Sequence, residues 1–177
     1  VGMTSRHFWR HSVAVGLATE TLARAERAHM GNAFAAGFLH SIGRLVLGHL
    51  VPSVLQELRA HAVREGIGLH CAERQLLGFT DAEIGGVLAN RWQLPGELVA
   101  AIGGHADVNL SFDQDSLASL VARARTMVEA ESIMDGVEPL AALPGPRLNS
   151  DDVLTTDEGF DALLDRVEAF MEHSGLV

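Results

Sequence analysis

Three histidines, His11, His40 and His105, each fall on the apolar stripe of a segment with helical periodicity, which turns three imidazoles toward the interior. Imidazoles so placed can ligate a metal, move a proton, or serve as hydrogen-bonded members of a core. The most informative surroundings are those of His40, in the run Phe38-Leu39-His40-Ser41-Ile42-Gly43-Arg44-Leu45-Val46-Leu47. Phe34, Phe38, Ile42 and Leu45 follow one another at spacings of three and four, while Gly37, His40 and Gly43 follow at spacing three. A glycine inside a helix costs ~1 kcal/mol relative to alanine, so two of them flanking a histidine predict the close approach of another backbone or of a ligand. A tight helix-helix contact with His40 as a buried core residue satisfies the same pattern.

The elements that position these histidines read as helices throughout. The first spans Ser5 to Arg27, with Phe8, His11, Val15, Ala18 and Leu22 on one stripe, and stops at His29-Met30-Gly31-Asn32, where Asn32 can cap the next. The helix that carries His40 runs on to about Leu50 and is closed by Pro52. Val54 to Arg64 forms another, with Leu55, Leu58 and Ala62 inward, and Leu69 to Leu77 is a short helix bearing Cys71 and Glu73. Thr80-Asp81-Ala82-Glu83 is a capping box that opens a helix with Ile84, Val87, Leu88 and Trp92 on its apolar face. Leu94-Pro95 begins the helix that places Leu98, Ile102 and His105 on one stripe. A helix capped by Asp115 follows through Glu131, burying Leu117, Leu120, Val121, Ala124 and Val128, with Arg123 at the margin. Residues 135–150 hold three prolines and two glycines and form a loop, and Thr155-x-x-Glu158 caps an amphipathic helix with Phe160, Leu163, Leu164, Val167, Phe170 and Met171 on one side.

No run of alternating β-branched residues competes and no repeat of 20–50 residues is visible, so the expected architecture is all-α: one compact domain of seven to eight helices without a sheet. Its expected parts are a core over 5–134, a loop over 135–150 and a C-terminal helix over 151–174. At 177 residues such a chain can bury a core without disulfides. A single cysteine, Cys71, excludes a disulfide framework and a cysteine-rich zinc module, and it reads as structural. With no stretch approaching 18 uninterrupted apolar residues and no signal-peptide pattern, the expectation is a cytoplasmic protein without a membrane partner. The first residue is Val, not Met, from which residues upstream are expected. The formal charge of −10, with all 13 basic residues arginine and scattered, speaks against a nucleic-acid groove. The acidic residues of the last quarter read as a solvated face.

Five pieces in order, Trp9-x-His11-Ser12-x-x-Val15, Gly37 to Leu45, Leu77-Gly78-x-x-x-Ala82-Glu83-Ile84-Gly85, Trp92-x-Leu94-Pro95 and Ala101-Ile102-x-x-His105, resemble the HDOD family. That family is a branch of the HD metal-dependent phosphohydrolases; similar modules serve bacterial signalling and lack the full metal site. The resemblance implies an HD-like helical fold. In the HD pattern a first histidine, an adjacent His-Asp pair and a later aspartate in an Ala-Asp pair hold a divalent cation. Carried over, His11 matches the first histidine and His40 the second, Ser41 stands where the adjacent aspartate is expected, and Ala122-Arg123 falls at the later pair. A hard cation wants anionic oxygen, so a hydroxyl and a guanidinium in place of two carboxylates leave little to hold it. Zinc on His11, His40 and a third ligand such as His105 is the chemistry left open. Glu73 resembles a glutamate common at this point of the family, and also reads as a surface charge or helix-pairing partner.

Other chemistry is absent from the sequence: there is no Gly-x-Ser-x-Gly elbow, no Walker-type loop and no Gly-x-Gly-x-x-Gly. His70 and Cys71 are consecutive on a helix and point about 100° apart, so they make no nucleophile pair. The first expectation is therefore a non-catalytic signalling module binding a protein partner or a small anionic ligand at a degenerate pocket of His11, His40, Ser41, His105 and Arg123, with no cofactor. The alternatives are an active phosphohydrolase on nucleotides or cyclic dinucleotides, which needs Zn, Mn, Mg or Fe, and a nucleotide sensor without turnover that uses Arg123 and other arginines.

Overall fold

The computed structural model describes residues 5–106, 116–131, 133, 135 and 157–176, and among these it is all-helical. The elements are α1 (Ser5–Glu26), α2 (Ala33–Leu39), α3 (Ile42–Leu50), α4 (Pro52–Glu65), α5 (Leu69–Leu77), α6 (Asp81–Arg91), α7 (Gly96–Gly104), α8 (Leu117–Ala130) and α9 (Asp157–Ser174). The core is built around α1. It is buried on almost every side from His11 to Thr19, as a helix must be when it packs against α2, α8 and α9 at once. The apolar stripes of α8 and α9 close over it through Leu120, Ala124, Val128, Leu163 and Val167. A smaller cluster, Leu55, Leu58, Ala62, Leu69 and Ala72, joins α4 to α5.

The expected single helix around His40 is broken in two, and the break falls on His40 and Ser41. Its cause is that the two halves answer to different neighbours. A Cβ at Gly37 would lie 2.5 Å from Thr19 Oγ1 and 2.6 Å from the Val15 carbonyl oxygen, so α2 is pressed onto the backbone of α1. A Cβ at Gly43 would lie 1.8 Å from the Asp81 carbonyl oxygen, so α3 is pressed onto the start of α6. Two backbones in two directions cannot both be met by one straight helix. Ala33–Leu50 is also, against expectation, long and apolar enough to pass as a membrane span by composition, yet it carries buried His40, Ser41 and Arg44.

Elsewhere the structure corrects the sequence in detail. The apolar face assigned to α6 is only half met: Ile84 and Leu88 are half-buried but Val87 and Trp92 are exposed, and the helix buries Asp81, Ala82, Gly85 and Ala89. Small residues win because α3 and α7 approach so closely that larger ones do not fit: a Cβ at Gly86 would lie 3.0 Å from the Gly103 Cα. Asn32 takes the N-cap position of α2 without capping it, and its amide donates to Glu97 at 2.6 Å instead. Pro95 is the N-cap of α7 rather than its first turn. Ser116 caps α8 by accepting from the Ser119 N–H, while Asp115, the expected cap, lies outside the described residues. Also outside them are Thr155 of the second capping box and the loop beyond Asp135. The capping box at Thr80 and Glu83 is present in full, and Cys71 is exposed rather than structural.

Candidate functional site: a row of histidines beside a buried ion-pair cluster

His11 comes from the middle of α1, His40 from the α2–α3 break and His105 from the C-terminal end of α7, and all three are buried. Ring centroids lie 5.2 Å apart for His11 and His40 and 5.0 Å apart for His40 and His105, and the row extends to His70 of α5, 5.8 Å from His105. Each of the first three rings spends its Nδ1 on a backbone carbonyl: His11 on Ile133 at 2.8 Å, His40 on Gly37 at 2.6 Å and His105 on Ile102 at 2.9 Å. A carbonyl only accepts, so the proton is on Nδ1 in every case. Burial, then the neighbouring positive groups, holds His40 well below the ordinary imidazole range and takes His105 down to about 3. Both are therefore neutral near pH 7 with Nε2 as an acceptor, and His40 Nε2 accepts from the Ser41 hydroxyl at 2.7 Å.

The cation facing this row is Arg125 and not Arg123. Arg123 points to the end of α1, where it pairs with Glu26 at 2.7 Å. Arg125 is buried, holds Glu129 through Nε at 2.7 Å, and donates from Nη1 to His70 Nδ1 at 3.2 Å. Two residues along a helix are about 200° apart around its axis, so of the two arginines in Ala122-Arg123-Ala124-Arg125 only one can face inward. The repeat of the Ala-Arg pair hid the register, and the neighbouring buried Ala124 and Val128 were the available signal.

Next to the row lies a charge cluster that the sequence did not single out. Arg44, from α3, reaches Asp81 of α6 through Nε at 3.0 Å and Asp135 through Nη1 at 2.6 Å, with all three side chains almost wholly buried. His70 Nε2 lies 2.8 Å from Asp81 Oδ1 and 3.3 Å from Arg44 Nη2. Because Arg125 donates to Nδ1, the His70 proton sits on Nε2 and goes to Asp81, which makes the Arg44 approach a packing contact. Glu73 of α5 is buried and accepts the Asp81 N–H at 2.9 Å, satisfying an orphan donor in the first turn of α6. Burial, then the charge of Asp81, pushes the Glu73 carboxyl up to about 9, so it holds its proton at neutral pH. Burial alone would raise the Asp81 carboxyl as well, but Arg44 and then His70 hold it well below the usual range.

Residues 2–108 match the HDOD domain family. The chain belongs to the HDOD domain family. An uncharacterized protein of Treponema pallidum (strain Nichols) is 26% identical over 142 residues, covering 78% of this chain and 27% of its own length. Among solved structures, a protein of Marinobacter aquaeolei VT8 provisionally assigned to signal transduction aligns at TM-score 0.68 and 26% identity, over 97% of this chain and 38% of its own. One from Shewanella amazonensis SB2B, provisionally assigned as a phosphohydrolase, aligns at TM-score 0.63 and 25% identity, over 96% and 61%. The HDOD chain described here thus spans between about a quarter and three fifths of the length of these relatives. By the resemblance, an HD-type metal would sit on His11, His40, position 41 and position 123. The residues there do not fit one: Ser41 and Arg123 bring no carboxylate, His40 Nε2 already accepts from Ser41, and the Arg125 guanidinium lies beside the row.

Proposed function

We propose that this HDOD domain is a non-catalytic regulatory module of bacterial signal transduction that binds a protein partner or a small anionic ligand at its degenerate HD pocket. The observation that supports the reading is that Ser41 stands beside His40, where the resemblance expects a carboxylate, while the buried Arg125 guanidinium lies next to the histidine row. The pocket's chemistry narrows the visitor. Neutral His105 presents an Nε2 acceptor, His40 Nε2 is engaged by the Ser41 hydroxyl, and Arg125, fixed by Glu129 and His70, brings positive charge. A matching group carries an acid together with an N–H or O–H donor, as a monoprotonated phosphate, a nucleotide or an acidic side chain with a neighbouring amide does. Binding of nucleoside monophosphates, cyclic dinucleotides and inorganic phosphate, followed by calorimetry, tests this against the Arg125→Ala and Arg123→Ala variants. Loss confined to Arg125→Ala is expected, and equal loss in both variants would remove the pocket from the account.

The second reading, a phosphohydrolase active on nucleotides, draws on the Shewanella neighbour. Phosphate release from the same nucleotides with added Mn²⁺, Mg²⁺ or Fe²⁺ separates the two. Turnover that disappears in His40→Ala would establish the enzyme and end the first reading.

A further inference from the structure

His70, Glu73 and Asp81 bring one nitrogen and two carboxyl groups together with their ligand atoms all within 4.8 Å of one another, a donor set of the kind that holds divalent metals once Glu73 gives up its proton. A second observation points the same way: Glu73 is wholly buried and its Oε1 has no hydrogen-bond partner, so a ligand oxygen inside the cluster is unsatisfied. A third carboxylate, Asp135, is joined to the cluster through Arg44. Arg44 is the cation at its centre, 3.0 Å from Asp81 Oδ2, 2.6 Å from Asp135 Oδ2 and 3.3 Å from His70 Nε2. We propose that the Arg44 guanidinium is the resident cation of what would otherwise be a divalent-metal site, and that removing the charge at position 44 turns the cluster into one.

Three arguments support this assignment. The contact of Asp81 with Arg44 is an ion pair rather than a well-aligned hydrogen bond, as expected where charge, and not a directional fit, holds the carboxylate. A divalent ion on Asp81 would lie beside the guanidinium in a buried site where like charges repel strongly, so ion and arginine exclude one another. Asp81 and Asp135 together carry two negative charges, which one guanidinium only half offsets and one divalent ion offsets fully. Arg125 keeps the His70 proton on Nε2 and so weakens that nitrogen as a ligand. The ion expected on the carboxylates is therefore an oxygen-preferring one such as Mn²⁺.

Equilibrium dialysis against Mn²⁺, with thermal denaturation in Mn²⁺ or in EDTA, tests the proposal on the whole chain and on R44Q, R44A and R44Q/D81N. The expected result is uptake of about one Mn²⁺ per chain by R44Q, with a Tm that is depressed in EDTA and restored by the metal, and loss of both in R44Q/D81N. The unsubstituted chain should bind at least about 10-fold more weakly and keep its Tm in EDTA. Stoichiometric Mn²⁺ on the unsubstituted chain would overturn the proposal, because the cluster would then hold metal with Arg44 in place. So would a folded R44Q that takes up none. Failure of both R44Q and R44A to fold in saturating Mn²⁺ counts against it too, since the ion then cannot stand in for the guanidinium.

Discussion

The histidine row and the Arg44 cluster touch where His105 meets His70, yet they solve the problem of burying polar groups in opposite ways. In the row, His11, His40 and His105 each give the Nδ1 proton to a backbone carbonyl, and His40 and His105 are held uncharged, first of all by burial. The cluster keeps its charges and pairs them across α3, α5, α6 and Asp135. A neutral hydrogen-bonded group can be removed at modest cost, whereas a buried charge that loses its partner is left uncompensated. The cluster is accordingly the stability keystone, and the row is the part whose substitution costs less.

The largest effect that would expose this difference is Arg44→Ala, expected to cost about 3–5 kcal/mol in denaturant unfolding because Asp81 and Asp135 lose their shared cation. A cost below that of His40→Ala in the same titration would reverse the comparison. Gly43→Ala comes next, since a Cβ 1.8 Å from the Asp81 carbonyl must push α3 off α6 and disturb the cluster through its backbone. A loss toward the upper end of about 1–3 kcal/mol is expected, with Gly31→Ala, where a Cβ meets nothing within 4 Å, as the control.

The pH dependence of stability sharpens the contrast, because the two regions have opposite signs. His40 and His105 bind protons less readily folded than unfolded, so their contribution is present above the unfolded value near 6.5 and is lost as pH falls below it. Each adds a slope of up to about 1.4 kcal/mol per pH unit. Glu73, raised from 4.5 to about 9, keeps a proton that the unfolded chain has released, and its contribution is lost as pH rises between those values. Two rising terms against one falling term below 6.5, and one falling term above it, place the maximum near pH 6.5. Unfolding in urea from pH 5 to 9 measures the curve, and Glu73→Gln should flatten its alkaline limb; a maximum above pH 8 would contradict the assignment. The smallest effect is expected of Arg123→Ala, under about 1 kcal/mol, because its pair with Glu26 is partly solvated.

What the residues determined by themselves was the helical order, the inward turn of three histidines and the tightness around Gly37 and Gly43. Local periodicity, capping chemistry and glycine cost are properties of short stretches, and short stretches are what a sequence displays. The stripe Phe8, His11, Val15, Ala18 and Leu22 of α1, and that of Leu117, Leu120, Val121, Ala124 and Val128 of α8, are buried as periodicity requires. Only the tertiary structure decided the rest. The register of α8 chose Arg125 over Arg123 through a rotation of about 200°, which a repeated Ala-Arg pair conceals. The face of α6 went to Ala82, Gly85 and Ala89 because backbone-to-backbone distance, not hydrophobicity, limited what could be buried there. Arg44, His70, Glu73, Asp81 and Asp135 come from four places along the chain, and each alone has an ordinary reading as a cap, a surface charge or the start of a loop. Their meaning is a charge balance, and that balance exists only once the packing of α3, α5 and α6 has removed the water between them.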